Sequence, residues 1–307
     1  MTGEALALAD VTEAAAAAPR RRRRRRRYSA REAGLALLLL APSALVFVVF
    51  FYRPFLNVMW WGTFESRRNG AFFERVGLSQ YREQLTSTDF REGLWHTVQF
   101  VLYTVPPGLI LGVLLAVAAH RKLAGIKIFQ TIFSSTLASS VAVTSVLFFY
   151  FFNPVVGLVQ THWLSDPDTA MIAVSISAIW QNLGLAFVIV LAGLQTVPDE
   201  VLEAATLDGY GPVRRLLRIT LPLISPVLLF LLVVLVVFGF QAFAQIDIIT
   251  GGGPVGATET LVFKINRLNR PDTIGIGAVY SVGLFFITLA ITSLQFAILD
   301  RRVHYAQ

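Results

Sequence analysis

The sequence contains no cysteine, which excludes disulfides, thiolate metal sites and cysteine nucleophiles together. Its four histidines (His96, His120, His162 and His304) are scattered, and no HExxH-like spacing places two of them on one helix face. No zinc or haem site follows from them. Charge is scarce as well. Of 307 residues, 15% are charged and 55% hydrophobic, with a mean hydropathy of +0.64. Soluble domains carry roughly 25% charged residues. A chain of this length with so little polar surface reads as a polytopic membrane protein.

The charge that is present is clustered. Net charge is +7, and Arg20 to Arg27 form an unbroken basic run. One reading of that run is a nucleic-acid-binding arm. The plainer and preferred reading is an anchor held by anionic headgroups at the cytoplasmic side of a first span, because a long apolar segment follows almost at once. A cleaved signal peptide is not expected, since no small-x-small site leads into a soluble domain.

Six stretches lack Asp, Glu, Lys and Arg and are long enough to cross ~30 Å of hydrocarbon. They lie at about 34–52, 94–119, 128–152, 170–195, 223–246 and 274–299. The expected fold is all-α and integral to the membrane, with a cytoplasmic tail over 1–33 and a transmembrane domain over 34–307. Pro106 and Pro107 should kink the second span, and Pro222 and Pro226 mark the entrance to the fifth. The positive-inside bias places both termini in the cytoplasm, although the arginine run carries nearly all of it. Segments 120–127 and 195–218 then lie inside, and 53–93, 153–168 and 247–273 outside. No carboxylate or lysine falls within a span, which argues against a proton-coupled secondary transporter or channel. A membrane enzyme would need a clustered His/Asp/Glu site at a membrane face, and the sequence offers none.

One inside segment is unusually polar: "EAATLDGYG" at 203–211, followed by Arg214, Arg215 and Arg218. Thr196-Val197-Pro198-Asp199 resembles a capped helix start with proline in its first turn. Val201, Ala204, Ala205 and Leu207 should form a small apolar face, with Glu200 and Glu203 exposed. Gly209 and Gly211 should stop this helix, and Pro212 should start a second. A surface-lying amphipathic helix is the alternative, but two glycines at midlength favour a helix–turn–helix that docks another protein.

Glu203-Ala204-Ala205, Asp208-Gly209 and then Ile219-x-Leu221-Pro222 resemble the EAA loop of bacterial ABC-importer permeases. Tyr210 stands where that family usually has alanine. A second stretch, "ITGGGPVGATETLVFKI" (249–265), fails as a phosphate-binding P-loop because Ala257 occupies the lysine position. It is similar instead to the TGGGP loop of carbohydrate-type ABC permeases, and Gly251, Gly252, Gly253 and Pro254 carry that likeness. "FFNPVVGLV" (151–159) and "QFAILDRRVHY" (295–305) resemble the glycerol-phosphate importers within that family.

The resemblance implies a type I ABC-importer permease fold with a cytoplasmic coupling helix, in a bacterial cytoplasmic membrane. It implies a second permease subunit as heterodimer partner, two ATP-binding subunits and an extracytoplasmic solute-binding protein. Glu203, Ala204, Ala205, Asp208 and Gly209 would couple to the ATPase. The chain itself would be non-catalytic and hold no cofactor, with ATP and magnesium bound by the partner. The implied solute is glycerol 3-phosphate or a glycerophosphodiester, with a neutral disaccharide as the alternative. Candidate path-lining residues are Trp180, Gln181, Asn182, Gln241, Gln245 and Tyr280, since amides and aromatic faces suit polyols. Each could equally be interhelical hydrogen-bonding glue.

Overall fold

The computed structural model describes residues 30–66, 73–120, 125–159 and 162–299. The arginine run and the "DRRVHY" part of the tail lie outside the described residues. The chain divides into two compact units, one up to Pro54 and one from Phe55 onward. α1 (Ala30–Phe47), in the first, passes through a π-turn (Val48–Tyr52) into α2 (Arg53–Trp61), most of which belongs to the second. Leu37 to Leu40 are 63–78% exposed, an arrangement suited to lipid rather than water.

The second unit, mostly helical as expected, also holds a small strand pair that the all-α reading did not include. A short antiparallel hairpin pairs β1 (Phe64–Ser66) with β2 (Phe73–Arg75). After α3 (Ser79–Leu85), the long helix α4 (Thr88–Ala119) is capped by Ser87, whose hydroxyl accepts from the Phe90 N–H at 3.2 Å. Pro106 and Pro107 lie inside α4, which continues unbroken past them. Lacking N–H groups, they leave the carbonyls of Leu102 and Tyr103 without their usual helical donors.

The apolar run 128–152 is two helices rather than one. α5 (Ile126–Ser134) ends in a 3-10 turn (Ser135–Ala138), and α6 (Val141–Phe151) leaves at 102°. Ser139 is extended there, and Ser140 caps α6 by accepting from the Val143 N–H at 3.2 Å. Serine at an N-cap stabilises a break that a run of apolar residues conceals. The fourth span, α7 (Pro167–Gln195), starts at Asp166, whose carboxylate accepts from the Asp168 N–H.

Next come α8 (Asp199–Leu207), α9 (Pro212–Arg215), a π-turn (Leu216–Thr220), α10 (Leu221–Leu223) and α11 (Ser225–Phe240), with a 75° bend at Ile224. Pro222 and Pro226 flank this bend, as expected of the entrance to the fifth span. That span is shorter than the 223–246 stretch suggested. It stops at Phe240, and α12 (Ala244–Ile249) is a separate short helix. Non-helical backbone at membrane depth is tolerated where it is buried in protein or lines a cavity, and 241–243 do line one.

The last elements are α13 (Leu261–Arg267) and α14 (Ile274–Leu299). Four helical segments (37–61, 88–119, 167–195 and 274–298) are long and apolar enough to cross a membrane, and counting each bent pair as one span gives six. Their core forms where α4, α7 and α11 meet, around Ala116, Ala186, Phe187, Val190, Leu231 and Leu235. Small residues on α4 and α7 let the backbones approach closely, which substitutes for the weak hydrophobic drive between helices in lipid.

Candidate functional site

α4, α7, α11, α12 and the break in the third span surround a cavity of about 620 Å³. Gln181, Asn182, Gln241 and Gln245 are brought together in its wall, and no ionisable side chain lines it among the described residues. Each amide has a different local role. The Gln181 Nε2 donates to the Ser139 carbonyl at 2.8 Å, filling a backbone acceptor left free by the 102° bend. Asn182 Nδ2 donates to the Ala178 carbonyl on its own helix at 2.9 Å. Gln245 is buried and Gln241 exposed.

Trp180 and Tyr280 are not in that wall. Trp180 is one residue before Gln181, so helical geometry turns it about 100° away. It packs on Phe148, with ring centroids 5.9 Å apart. Tyr280 is buried and donates to Asp89 Oδ2 at 2.8 Å, far from any role as a free aromatic platform. Thr104 and Gly108, on either side of the two prolines of α4, do line the cavity and were not singled out in the sequence. The available signal was a threonine beside a Pro-Pro pair in an otherwise apolar span.

The segment after α7 begins differently from its expected cap. Pro198 occupies the N-cap position of α8 without a side-chain bond, and the Thr196 hydroxyl donates back to the Gly193 carbonyl at 2.8 Å. The apolar face is rearranged too. Ala205 is buried and Leu202 half-buried against the body, whereas Val201, Ala204 and Leu207 face outward beside the exposed Glu203. Leu207 is 90% exposed. The helix closes as expected at Gly209, with φ +78°. The Tyr210 N–H donates to the Ala205 carbonyl and the Gly209 N–H to the Thr206 carbonyl, the paired bonds of a Schellman ending. Gly211 is not left-handed and precedes α9 in extended conformation.

Tyr210 has a visible partner: the Arg214 guanidinium lies 4.7 Å from its ring centroid. Arg215 Nη1 donates to the Thr206 hydroxyl at 2.7 Å, tying α9 back to α8. Val197 and Ile224, at the two ends of the segment, are both buried in the central core. Both ends of the segment are thus packed into the core that α7 and α11 share. Gln181 lies fourteen residues before Gln195 on α7, so the cavity is roughly 20 Å along that helix from α8.

The 247–273 segment is a built element rather than a slack loop. Gly252 has φ +85°, and a Cβ there would stand 2.5 Å from the Phe263 ring. The Thr258 hydroxyl donates to the Gly253 carbonyl at 2.9 Å and lies 2.7 Å from the Thr250 hydroxyl. Gly251 is left-handed, the Gly253–Pro254 bond is cis, and Val255 at the tip is 98% exposed. The Leu261 N–H donates to Thr97 Oγ1 at 2.9 Å, joining α13 to α4. Lys264, 7% exposed, bonds the carbonyl and carboxylate of Asp89, while Arg267 pairs with Glu259 at 2.7 Å. Asp89 and Lys264 are 175 residues apart, so sequence inspection had no means of pairing them.

Residues 108–305 match the family described as "Binding-protein-dependent transport system inner membrane component". The chain is similar to the sn-glycerol-3-phosphate transport system permease protein UgpA of Escherichia coli (strain UTI89 / UPEC), at 33% identity over 287 residues covering 90% of this chain and 97% of the relative. It is 32% identical to the protein of that name from Pectobacterium atrosepticum, with the same coverage. Among solved structures it resembles a chain of a bacterial alginate ABC transporter in complex with an alginate pentasaccharide-bound periplasmic protein. That match has a TM-score of 0.77 at 19% identity, over 90% of this chain and 98% of that one. The fold is that of type I ABC-importer permeases, and such relatives are translocation components rather than enzymes. The chain therefore belongs to the binding-protein-dependent transport system inner membrane component family, as a permease subunit of an ABC importer.

Proposed function

We propose that this permease, with a tail over 1–33 and a transmembrane domain over 34–307, imports glycerol 3-phosphate or a glycerophosphodiester, with both termini and α8 in the cytoplasm. It works as half of a heterodimeric channel with a second permease, two ATP-binding subunits and an extracytoplasmic solute-binding protein. The arginine run supports the orientation. A structural neighbour captured with a solute-loaded periplasmic protein supports the external partner.

The observation that carries the coupling role is the outward face of α8. Leu207, Val201 and Glu203 are presented to solvent at the end of two spans, and a left-handed Gly209 fixes the turn. Burying one such leucine in a partner cleft is worth about 1.5–3 kcal/mol. ATP binding by the partner subunits draws α8 and the corresponding helix of the second permease together. α8 then moves as a rigid body and carries α7 and α11 with it through Val197 and Ile224. To switch a cavity from inward- to outward-facing, ATP must favour one state by a few kcal/mol. ATP and magnesium belong to the partner; this chain transmits.

The solute assignment rests on 33% identity to UgpA proteins over nearly the whole chain. A neutral disaccharide is the second reading, favoured by a cavity without a charged side chain. For a phosphate solute, the partner permease or helix-end amides shield the charge. The deciding experiment is ATPase stimulation of the reconstituted complex with its binding protein. Glycerol 3-phosphate or glycerophosphocholine should stimulate hydrolysis, and maltose and trehalose should not. Stimulation by a disaccharide alone overturns the solute assignment and leaves the importer intact.

A further inference from the structure

We propose that Thr104 and Gln181 form a hydroxyl-recognition pair in the cavity wall, so that this subunit grips the polyol part of the solute and not its charged part. The proposal rests on the importer reading above and adds to it which chemistry this half of the channel recognises. Two residues that line the cavity each carry a buried side-chain oxygen with no hydrogen-bond partner among the described residues: Thr104 Oγ1 and Gln181 Oε1. Thr104 is 5% exposed. A buried helical threonine ordinarily satisfies its hydroxyl on the preceding turn, as Thr97 does by donating to the Gly93 carbonyl at 2.7 Å. Thr104 does not. An unsatisfied buried polar atom is costly, and such atoms are few in native proteins.

The chemistry of the two atoms selects the ligand. Gln181 Oε1 is an acceptor only, and its amide nitrogen is already engaged with the Ser139 carbonyl. A hydroxyl group of the solute supplies the donor that this oxygen lacks, and Thr104 can donate to or accept from the same or a neighbouring hydroxyl. A phosphate monoester is mostly dianionic at neutral pH, a poor donor, and would face acceptor oxygens with no cation among the described residues of the wall. The pair therefore reads a hydroxyl-bearing carbon chain. Gln181 is also the side chain that holds the bend of the third span, so a hydroxyl on its oxygen acts on the group that pins that bend.

The test is uptake by the reconstituted complex with its binding protein, using Thr104→Val, which keeps the shape and removes the hydroxyl, and Thr104→Ser, which keeps the hydroxyl. The probes are glycerol 3-phosphate, 3-hydroxypropyl phosphate (the same molecule without its central hydroxyl) and maltose. Thr104→Val should slow uptake of the hydroxyl-rich probe that drives the wild type by roughly two- to tenfold, the range expected for one hydrogen bond. Thr104→Ser should retain it, and complex yield should be unchanged in both. With glycerol 3-phosphate as the driving solute, the Val variant should lose little more on 3-hydroxypropyl phosphate. Unchanged uptake in Thr104→Val, an equal loss on both phosphate probes, or loss of yield in both variants overturns the pair. If maltose alone drives the wild type, the solute assignment fails while the same Val-against-Ser comparison on maltose still decides the pair.

Discussion

The turn at Gly209 offers a clean perturbation because only backbone conformation is at stake. Its φ is +78°, and a Cβ added there would meet nothing within 4 Å. A side chain would thus cost no packing, only the left-handed penalty of about 1–2 kcal/mol for an ordinary L-residue. At about 1.4 kcal/mol per factor of ten, that lowers the population of the docking-competent turn roughly five- to thirtyfold. Gly209→Ala should therefore reduce solute-stimulated ATP hydrolysis by this factor when the ATPase subunit is limiting. Gly209→Val, β-branched, should lose still more, and Gly209→Asn should lose least because asparagine tolerates this region. The assay is hydrolysis by proteoliposomes with loaded binding protein, normalised to permease inserted in the membrane, which should not change. Full activity in the Val variant, or an Asn variant as impaired as Val, would refute the reasoning.

Three further outcomes are expected. Glu203→Lys reverses an exposed charge on α8, and should leave membrane levels intact while abolishing solute-stimulated hydrolysis; full uptake would remove Glu203 from the docking surface. Deleting residues 1–27 should reduce correctly inserted protein, with assembled complexes still transporting; normal membrane levels with lost transport would assign the tail a different role. Lys264→Met removes the cation from Asp89, whose side chain is 57% exposed, so the cost should be about 1–3 kcal/mol rather than that of a fully buried pair. Thermal unfolding of the purified complex should show it, and Asp89→Asn added to Lys264→Met should cost little more.

Composition made the fold class legible, since runs free of charge mark membrane spans whatever their partners. The α8–α9 turn was legible because its signal is local: a glycine at a helix end and a proline at the next start report backbone geometry directly. The bend at Ser139 was hidden, because Ser139 and Ser140 are as compatible with a packed span as with a break until the Val143 N–H is found on Ser140. Periodicity could not orient α8, where Ala205 turned inward and Leu207 outward; a short helix with few apolar residues leaves both faces plausible. Four amides chosen by chemistry proved to be neighbours, but Trp180 and Tyr280 found partners in packing and in Asp89. Contacts such as Lys264–Asp89 join distant segments, and only the folded chain brings them together.

The absence of cysteine makes the central claim directly measurable, because a single introduced thiol is unique in this chain. Glu203→Cys and Val255→Cys place that thiol on α8 and on the tip of the 250–256 turn, both exposed. In intact proteoliposomes containing the ATP-binding subunit and the binding protein, a short bifunctional cross-linker should join Glu203→Cys to the ATP-binding subunit, in a manner that changes with ATP. Val255→Cys should give no such product. Cross-linking of the ATP-binding subunit to position 255, or none to position 203 in a complex that still transports, would contradict the account.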